Sequence, residues 1–341
     1  MSRACLLNGQ MCLTNEPART AVMRVFRRKP LQYLHLDEIA QKAKIPVDQA
    51  VQAILELKEQ GLCIGSRPPA DYYFEPCEER LHPDLAASQL QTRWWGRKLY
   101  FGEELTSTID VAKTILQQEE DPHGVVVYAN FQTQGRGRQG SAWTSPRGKD
   151  LLLTFFICAR EHRPSPSLLS LYAVTAAARV LDTAYNIPVS IKWPNDLMAQ
   201  EKKIGGVLVE CDLQNQVILA SLGLNVHSRP SDWPQSERRR IASLSMLTQE
   251  DLRRDRLLAQ CGATWEALWE CMTTDGGETV RGYFRQYSMT LGKRVQLMHR
   301  RRLLRGSALN IDDVGRLIFR SDDGSTTALL VEEVQHLQLE E

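Results

Sequence analysis

The chain has no Cys-x-x-Cys pair and no histidine set at metal-ligand spacing, which argues against a zinc-ribbon or zinc-finger scaffold. Its eight cysteines are scattered between Cys5 and Cys271 and read as free thiols of a reducing compartment. No apolar run approaches the length of a bilayer crossing, and Cys5-Leu6-Leu7 is too short for a signal-peptide apolar region. The expectation is a cytoplasmic protein with no membrane partner. Excess charge is missing too: 42 Lys and Arg face 41 Asp and Glu. Contact with a polyanion would therefore need a local patch. There is no internal repeat or low-complexity tract, and 43% hydrophobic residues exclude global disorder.

What is present is enough chain, 341 residues, for two or three cores. Residues 1–19 lack periodicity and read as a loose leader, followed by a helix over 20–28. Leu36, Ile39, Ala40 and Ala43 then have helical spacing, and Pro46 opens a second helix that Gly61 ends. Two short strands, 62–66 and 72–74, flank a Pro-rich bend. This order predicts a winged helix within residues 1–80. Residues 81–99, in a charged stretch, read as a linker.

From about Tyr100 strands and helices alternate. Strands are expected at 125–129, 151–157, 190–193, 206–211 and 217–222, and helices at 167–185, 250–273 and 277–287. The fold class is a mixed α/β domain over 100–288. Short strands at 294–298, 303–308, 317–320 and 326–331 predict a small β-barrel over 289–341. Between Lys293 and Arg305 lie six basic residues and no acidic one, read as a wet β-turn or a face for an acidic acceptor.

Three segments carry chemistry. Gln132-Thr133-Gln134-Gly135-Arg136-Gly137-Arg138-Gln139-Gly140 follows a strand and joins permanent positive charge to glycines that permit close approach and positive φ. Such a loop suits phosphate or carboxylate oxygens; a basic hairpin turn or an RNA-touching patch is the plainer account. In Lys192-Trp193-Pro194-Asn195-Asp196 a strand ends in a turn, and Lys203-Ile204-Gly205-Gly206 begins the return strand. A hairpin explains the turn; a pocket would explain the lysine. Ser107-Thr108-Ile109-Asp110 resembles a capping box, which alone accounts for it.

Together with Trp143, Gly223-Leu224-Asn225 and Ala242-Ser243-Leu244, these segments resemble the biotin protein ligases over roughly residues 100–341, in order and in spacing. The resemblance implies ATP-dependent formation of biotinyl-5′-AMP and transfer of biotin to a lysine of a biotin carboxyl carrier protein. It implies catalytic roles for Arg138 and Lys203, and biotin contacts from Ser107, Thr108, Ile109, Gln132, Arg136, Gly137, Arg138, Lys203 and Gly206. ATP or adenylate contacts would come from Arg136, Arg138, Trp143, Lys192, Asn195, Asp196, Lys203, Asn225, Trp233 and Ala242. Mg²⁺ would enter with ATP, with Asp196 in reach, and no metal is expected to be held by the protein alone. Residues 227–240 are a candidate lid or a solvated charged loop. The final domain resembles an SH3-like barrel, and the front one the DNA-binding domain of bifunctional members, which repress biotin genes and dimerise through the central sheet.

Departures from the family pattern are Ile109 after Ser-Thr, Ser141 where an arginine is common, Ser221 where a glycine stands, and Glu332-Glu333 in the last domain. Candidate contacts to operator DNA are Lys44, Gln49 and Gln52. The proposed recognition helix nevertheless carries Asp48, Glu56 and Glu59 against Lys58, so packing or enzyme regulation is the competing role. Two other activities share these features: a sensor of biotin or its adenylate that binds DNA without efficient turnover, and a lipoate or octanoyl transferase.

Overall fold

The computed structural model describes residues 11–14, 17–76, 81–159, 163–212, 214 and 216–339. Among them no helix is long and apolar enough to cross a membrane, and the cysteines at 63, 211, 261 and 271 are free thiols.

The N-terminal part runs β1 (Met11–Thr14), α1 (Pro17–Arg28), β2 (Leu34–His35), α2 (Leu36–Ala43), α3 (Val47–Glu59), β3 (Ile64–Arg67) and β4 (Asp71–Phe74). His35 caps α2 by accepting a bond from the Asp37 N–H, and Lys44 ends it in the left-handed region at φ 57°. Val22, Phe26, Ile39, Ile54, Leu57 and Phe74 from these elements share one core. The strands form a small sheet in the order β2-β4-β3. The expected helices and hairpin are all present, with two-residue β2 added.

Two expectations about this half are corrected. The leader is not structureless throughout: Met11–Thr14 pairs antiparallel with β5 (Lys98–Gly102) at the edge of the central sheet. Residues 1–10 lie outside the described ones. The linker holds a buried helix, α4 (Pro83–Gln89), started by His82, whose Nδ1 accepts from the Asp84 N–H at 3.2 Å. Helix α4 is only seven residues long and carries its polar groups inward, so periodicity could not show it. Arg19 reaches Asp84 at 3.2 Å, Arg27 bonds Gln89, and Gln89 bonds Asp255 at 2.6 Å.

The central part continues with α5 (Thr108–Leu116), β6 (Val125–Ala129), β7 (Leu151–Cys158), α6 (Pro166–Tyr185), β8 (Ser190–Lys192), β9 (Asp196–Ala199), β10 (Lys202–Asp212), β11 (Val217–Leu224), α7 (Arg254–Asp275) and α8 (Glu278–Tyr287). The sheet order is β1-β5-β6-β7-β11-β10-β9-β8, with β5 and β6 parallel and the other pairs antiparallel. This is the mixed α/β architecture expected. The hairpin expected between 190–193 and 206–211 is instead two hairpins, because β9 intervenes and β10 already begins at Lys202.

The two sheet faces differ. Helices α6, α7 and α8 bury Leu171, Tyr172, Trp265 and Phe284 on one side, and the apolar character of α6 around its whole circumference follows from being enclosed. On the other side α5 packs on β6, β7 and β11. That short helix stops before β8–β10, and the remaining face is free to form a cleft.

The chain ends with β12 (Arg294–His299), β13 (Arg302–Ile311), β14 (Leu317–Ser321), β15 (Thr326–Leu329) and β16 (Val334–Leu339), an antiparallel sheet in the order β15-β14-β13-β12-β16. Strand β16 is additional to the expectation. Its Val334 and Leu337 join Val295, Leu297 and Phe319 in a core continuous with the central one. The basic run is a β-hairpin turn through Arg300 and Arg301, both at positive φ, with Arg300 and His299 paired to Glu333.

Candidate functional site

Two cavities meet on the face that α5 leaves uncovered. The first, about 370 Å³, is lined by Ser107, Thr108, Ile109, Gln132, Arg136, Gly137, Arg138, Gly206 and Ser221. The second, about 420 Å³, is lined by Thr144, Met198, Asn225, Trp233, Glu237 and Arg240. Trp143, Lys192, Asp196 and Lys203 line both, so they stand where the two lobes join.

The glycine-arginine loop is an irregular hairpin: the Gly137 N–H donates to Ser141 O at 2.7 Å, and the Trp143 N–H to Gly135 O at 2.8 Å. The plain reading as a turn is right about its backbone, while its side chains form the first lobe's wall. Positive φ falls on Gln139 and Gly140, not on Gly135 or Gly137. Gly135 is needed for closeness, since a Cβ there would sit 2.5 Å from Trp143 O. Gly223 serves the indole likewise, because a Cβ would lie 2.6 Å from the Trp143 ring.

Arg138 is the more enclosed arginine, and burial lowers its pKa against the pull of Asp196 and Glu332. Its Nη1 donates to Asn195 Oδ1 at 3.3 Å, and its Nη2 to the carbonyls of Val331 and Val334, the latter at 3.1 Å. Through it the last sheet is tied to the cleft, and Val334, Gln335, Leu337 and Gln338 close one wall. Nothing in the sequence marked these ordinary strand residues. Arg136 is paired with Asp110, with Glu210 at 4.0 Å. Asp110 therefore serves an arginine, and the expected capping box does not form: Ser107 is the N-cap of α5 without a side-chain cap bond. The Thr108 N–H instead donates to Gln132 Oε1 at 2.6 Å.

Lys203 sits at a bulge in β10, and its Nζ lies 2.6 Å from Asp196 Oδ1 and 5.6 Å from the Trp143 ring centroid. Its backbone holds the end of the 227–240 loop, the N–H donating to Arg240 O and the carbonyl accepting from the Ala242 N–H. Lys192 on β8 is half-buried, and burial lowers its pKa. A Cβ on Gly206 would make only ordinary contacts, 3.4 Å to Asp196 Oδ1 and Lys203 Cε. Neighbouring protein atoms therefore do not impose glycine there.

Loop 227–240 is ordered by its own contacts. Lys149 pairs with Asp232 at 2.7 Å, Arg238 Nε donates to Trp233 O, and Trp233 is 3% exposed. Trp233 anchors the loop at the second lobe, while Arg238, Arg239 and Arg240 stay exposed, so it combines a packed contact with a solvated charged run. Its root is Asp150, whose Oδ1 accepts from the Val226 N–H and from Ser228 Oγ, while Oδ2 has no partner. Burial raises the Asp150 pKa to about 7.

Every residue expected at the site lines a lobe except Ala242. It is 1% exposed and lies behind the wall, where its carbonyl accepts from Asn225 Nδ2 at 3.0 Å. Lys44, Gln49 and Gln52 line neither lobe; Gln52 bonds Glu56, which pairs with Arg19. Among the described residues no three His, Cys, Asp or Glu cluster to hold a metal.

Comparison with known proteins gives a consistent assignment. The model of the biotin/lipoate A/B protein ligase family matches residues 101–227. The chain is similar to the bifunctional ligase/repressor BirA of Bacillus subtilis, 27% identical over 274 residues that cover 80% of this chain and 84% of that one. It is 27% identical to the human biotin–protein ligase over 267 residues, 74% of this chain and 36% of the other. The structure of a biotin protein ligase from Aquifex aeolicus in complex with biotin and ATP matches with a TM-score of 0.62 at 25% identity, covering 71% of this chain and 99% of that one. The matched segment contains the glycine-arginine loop and the Lys192–Lys203 hairpins that build the junction of the two lobes, so the likeness to the biotin protein ligases falls on the residues that form the site.

Proposed function

We propose that the protein activates biotin with ATP and transfers it to a lysine of a biotin carboxyl carrier protein. The observation that carries this reading is the pair of lobes sharing Lys192, Asp196, Lys203 and Trp143. Biotin takes the first lobe, near Ser107, Thr108, Ile109, Gln132 and Gly206, and ATP the second, near Asn225 and Trp233. The biotin carboxylate attacks the α-phosphate, forming a carboxyl–phosphate bond as pyrophosphate leaves.

Two anions must meet for this, and fixed cations that need not reorganise reduce the repulsion. Lys203 and Lys192 face the reacting oxygens, Arg136 and Arg138 hold the carboxylate and phosphate, and Arg138 retains the adenylate. Asp196 fixes the Lys203 ammonium. Asp196 is committed to that lysine, so the residues present do not form a protein-held metal site; Mg²⁺ comes with the triphosphate oxygens. In the second step the acceptor amine attacks the acyl carbon and AMP leaves, with positioning supplying much of the acceleration.

The N-terminal unit is read as a winged helix that contacts operator DNA through Lys44, Gln49 and Gln52, the last sheet as an SH3-like domain, and the working form as a homodimer joined through the central sheet. Incubation with ATP, labelled biotin and a biotin-acceptor domain tests the main activity. Label on the acceptor is expected; none, with lipoate taken instead, would refute it.

A further inference from the structure

Strand β7 is apolar from end to end except for Thr154, whose side chain is fully buried. A buried hydroxyl needs partners, and Thr154 has two. Its Oγ1 donates to Thr108 Oγ1 at 3.0 Å and lies 2.8 Å from Ser221 Oγ. Thr154 and Ser221 are cross-strand neighbours on β7 and β11, and Thr108 opens α5 above them. Thr108 and Ser221 both line the first lobe.

Proton counting gives this chain a direction. Each hydroxyl carries one proton and two lone pairs. The Thr154 proton goes to Thr108, so the second bond must be donated by Ser221. Ser221 then has only lone pairs left to turn toward the lobe, while Thr108 retains its own proton. Gln132 has its oxygen occupied by the Thr108 N–H, so its NH₂ is what it can offer a ligand. This end of the lobe thus presents the Ser221 acceptor beside the Thr108 and Gln132 donors.

We infer that Ser221 is a specificity-determining residue whose Oγ accepts a hydrogen bond from a ring N–H of the ligand, in a pocket polarised by Thr154 for a cyclic urea. The donors on Thr108 and Gln132 face the urea carbonyl. An acyl chain or a dithiolane ring has no N–H to give and would leave the lone pairs that Ser221 turns to the lobe desolvated and unmatched. The inference rests on the proposed biotin site and deepens it, using the serine that departs from the family's glycine.

The test is calorimetric titration of biotin into the full chain and its Ser221→Ala, Thr154→Val and doubly substituted forms, each checked for folding by its thermal transition. Loss of one net hydrogen bond predicts roughly three- to tenfold weaker binding by Ser221→Ala. Thr154→Val should lose a similar factor, because Ser221 then has no acceptor for its proton. The double variant should be little worse than either single one, since both break the same relay. Unchanged affinity in Ser221→Ala, or full additivity in the double variant, overturns the inference. Ser221→Gly replaces Ser221→Ala should the latter not fold. Wild-type binding separates the two levels: if the wild type ignores biotin the proposed function fails as well, whereas binding by the wild type with unaltered variants removes only the role of Ser221.

Discussion

The cleft and the exposed face of α3 both hold charged side chains on short elements, yet the fold treats them oppositely. In the cleft Arg138 and Lys192 are partly desolvated, and burial lowers both pKa values. Two more cations, Arg136 and Lys203, line the same wall. On α3, Gln52 and Arg19 both bond Glu56, and Lys58 and Glu59 stand in solvent. Charges that converge where water is thinned act on a ligand; charges spread over a wet helix mostly neutralise one another. The difference is set by what lies behind each residue: a broad sheet under the cleft, a thirteen-residue helix under the other face.

Lys203→Ala should widen this contrast most. It removes the ammonium at the junction of the lobes, and adenylate formation should fall by about 10²–10³-fold while biotin binding is largely retained; turnover within threefold of wild type would make the lysine peripheral. Arg138→Gly comes next. Losing one charge-assisted anchor, worth roughly 1.5–3 kcal/mol, should release the adenylate about ten- to a hundredfold more readily. Biotin should then label exposed lysines of bystander proteins, and labelling confined to the acceptor would contradict the retention role.

Asp150→Asn probes the root of the 227–240 loop. Burial lifts the folded-state pKa to about 7 from the ordinary carboxyl value of 3.8, so Asp150 favours the fold when protonated at low pH and loses that contribution as pH rises from about 4 to about 7. Denaturant titrations should show wild-type stability declining relative to Asp150→Asn between about pH 4 and pH 7, by at most about 4 kcal/mol, and levelling off above. A constant difference would mean that the carboxyl does not titrate there. The smallest effect is expected from Lys44→Ala, which should leave pyrophosphate exchange within twofold and weaken retardation of DNA from upstream of biotin genes. If exchange falls sharply, the two regions are not separate.

Much of this was legible in sequence because the relevant signals are local. The short apolar runs 125–129 and 151–157 and the spacing of Leu36, Ile39 and Ala43 describe β6, β7 and α2 closely. The glycines of the 132–140 loop announced a close approach, but at Gly135 the approaching group is the Trp143 backbone, and at Gly223 its ring, which the sequence did not name. What stayed hidden depends on distant partners. Strand β1 exists because β5 offers an edge, α4 because α1 and α7 enclose it, and Val334 forms a cleft wall because Arg138 holds its carbonyl. Thr154 looks like one more β-branched strand residue until Ser221 and Thr108 are placed beside it. Asp110, read as part of a cap, turned out to pair with Arg136 across a loop that only tertiary structure brings near.

Biotin-dependent exchange of labelled pyrophosphate into ATP by the full chain is the most direct measurement of whether the two lobes work as one site. The account predicts exchange when biotin is present and background without it. Exchange that ignores biotin, or none at saturating biotin and ATP, would contradict it.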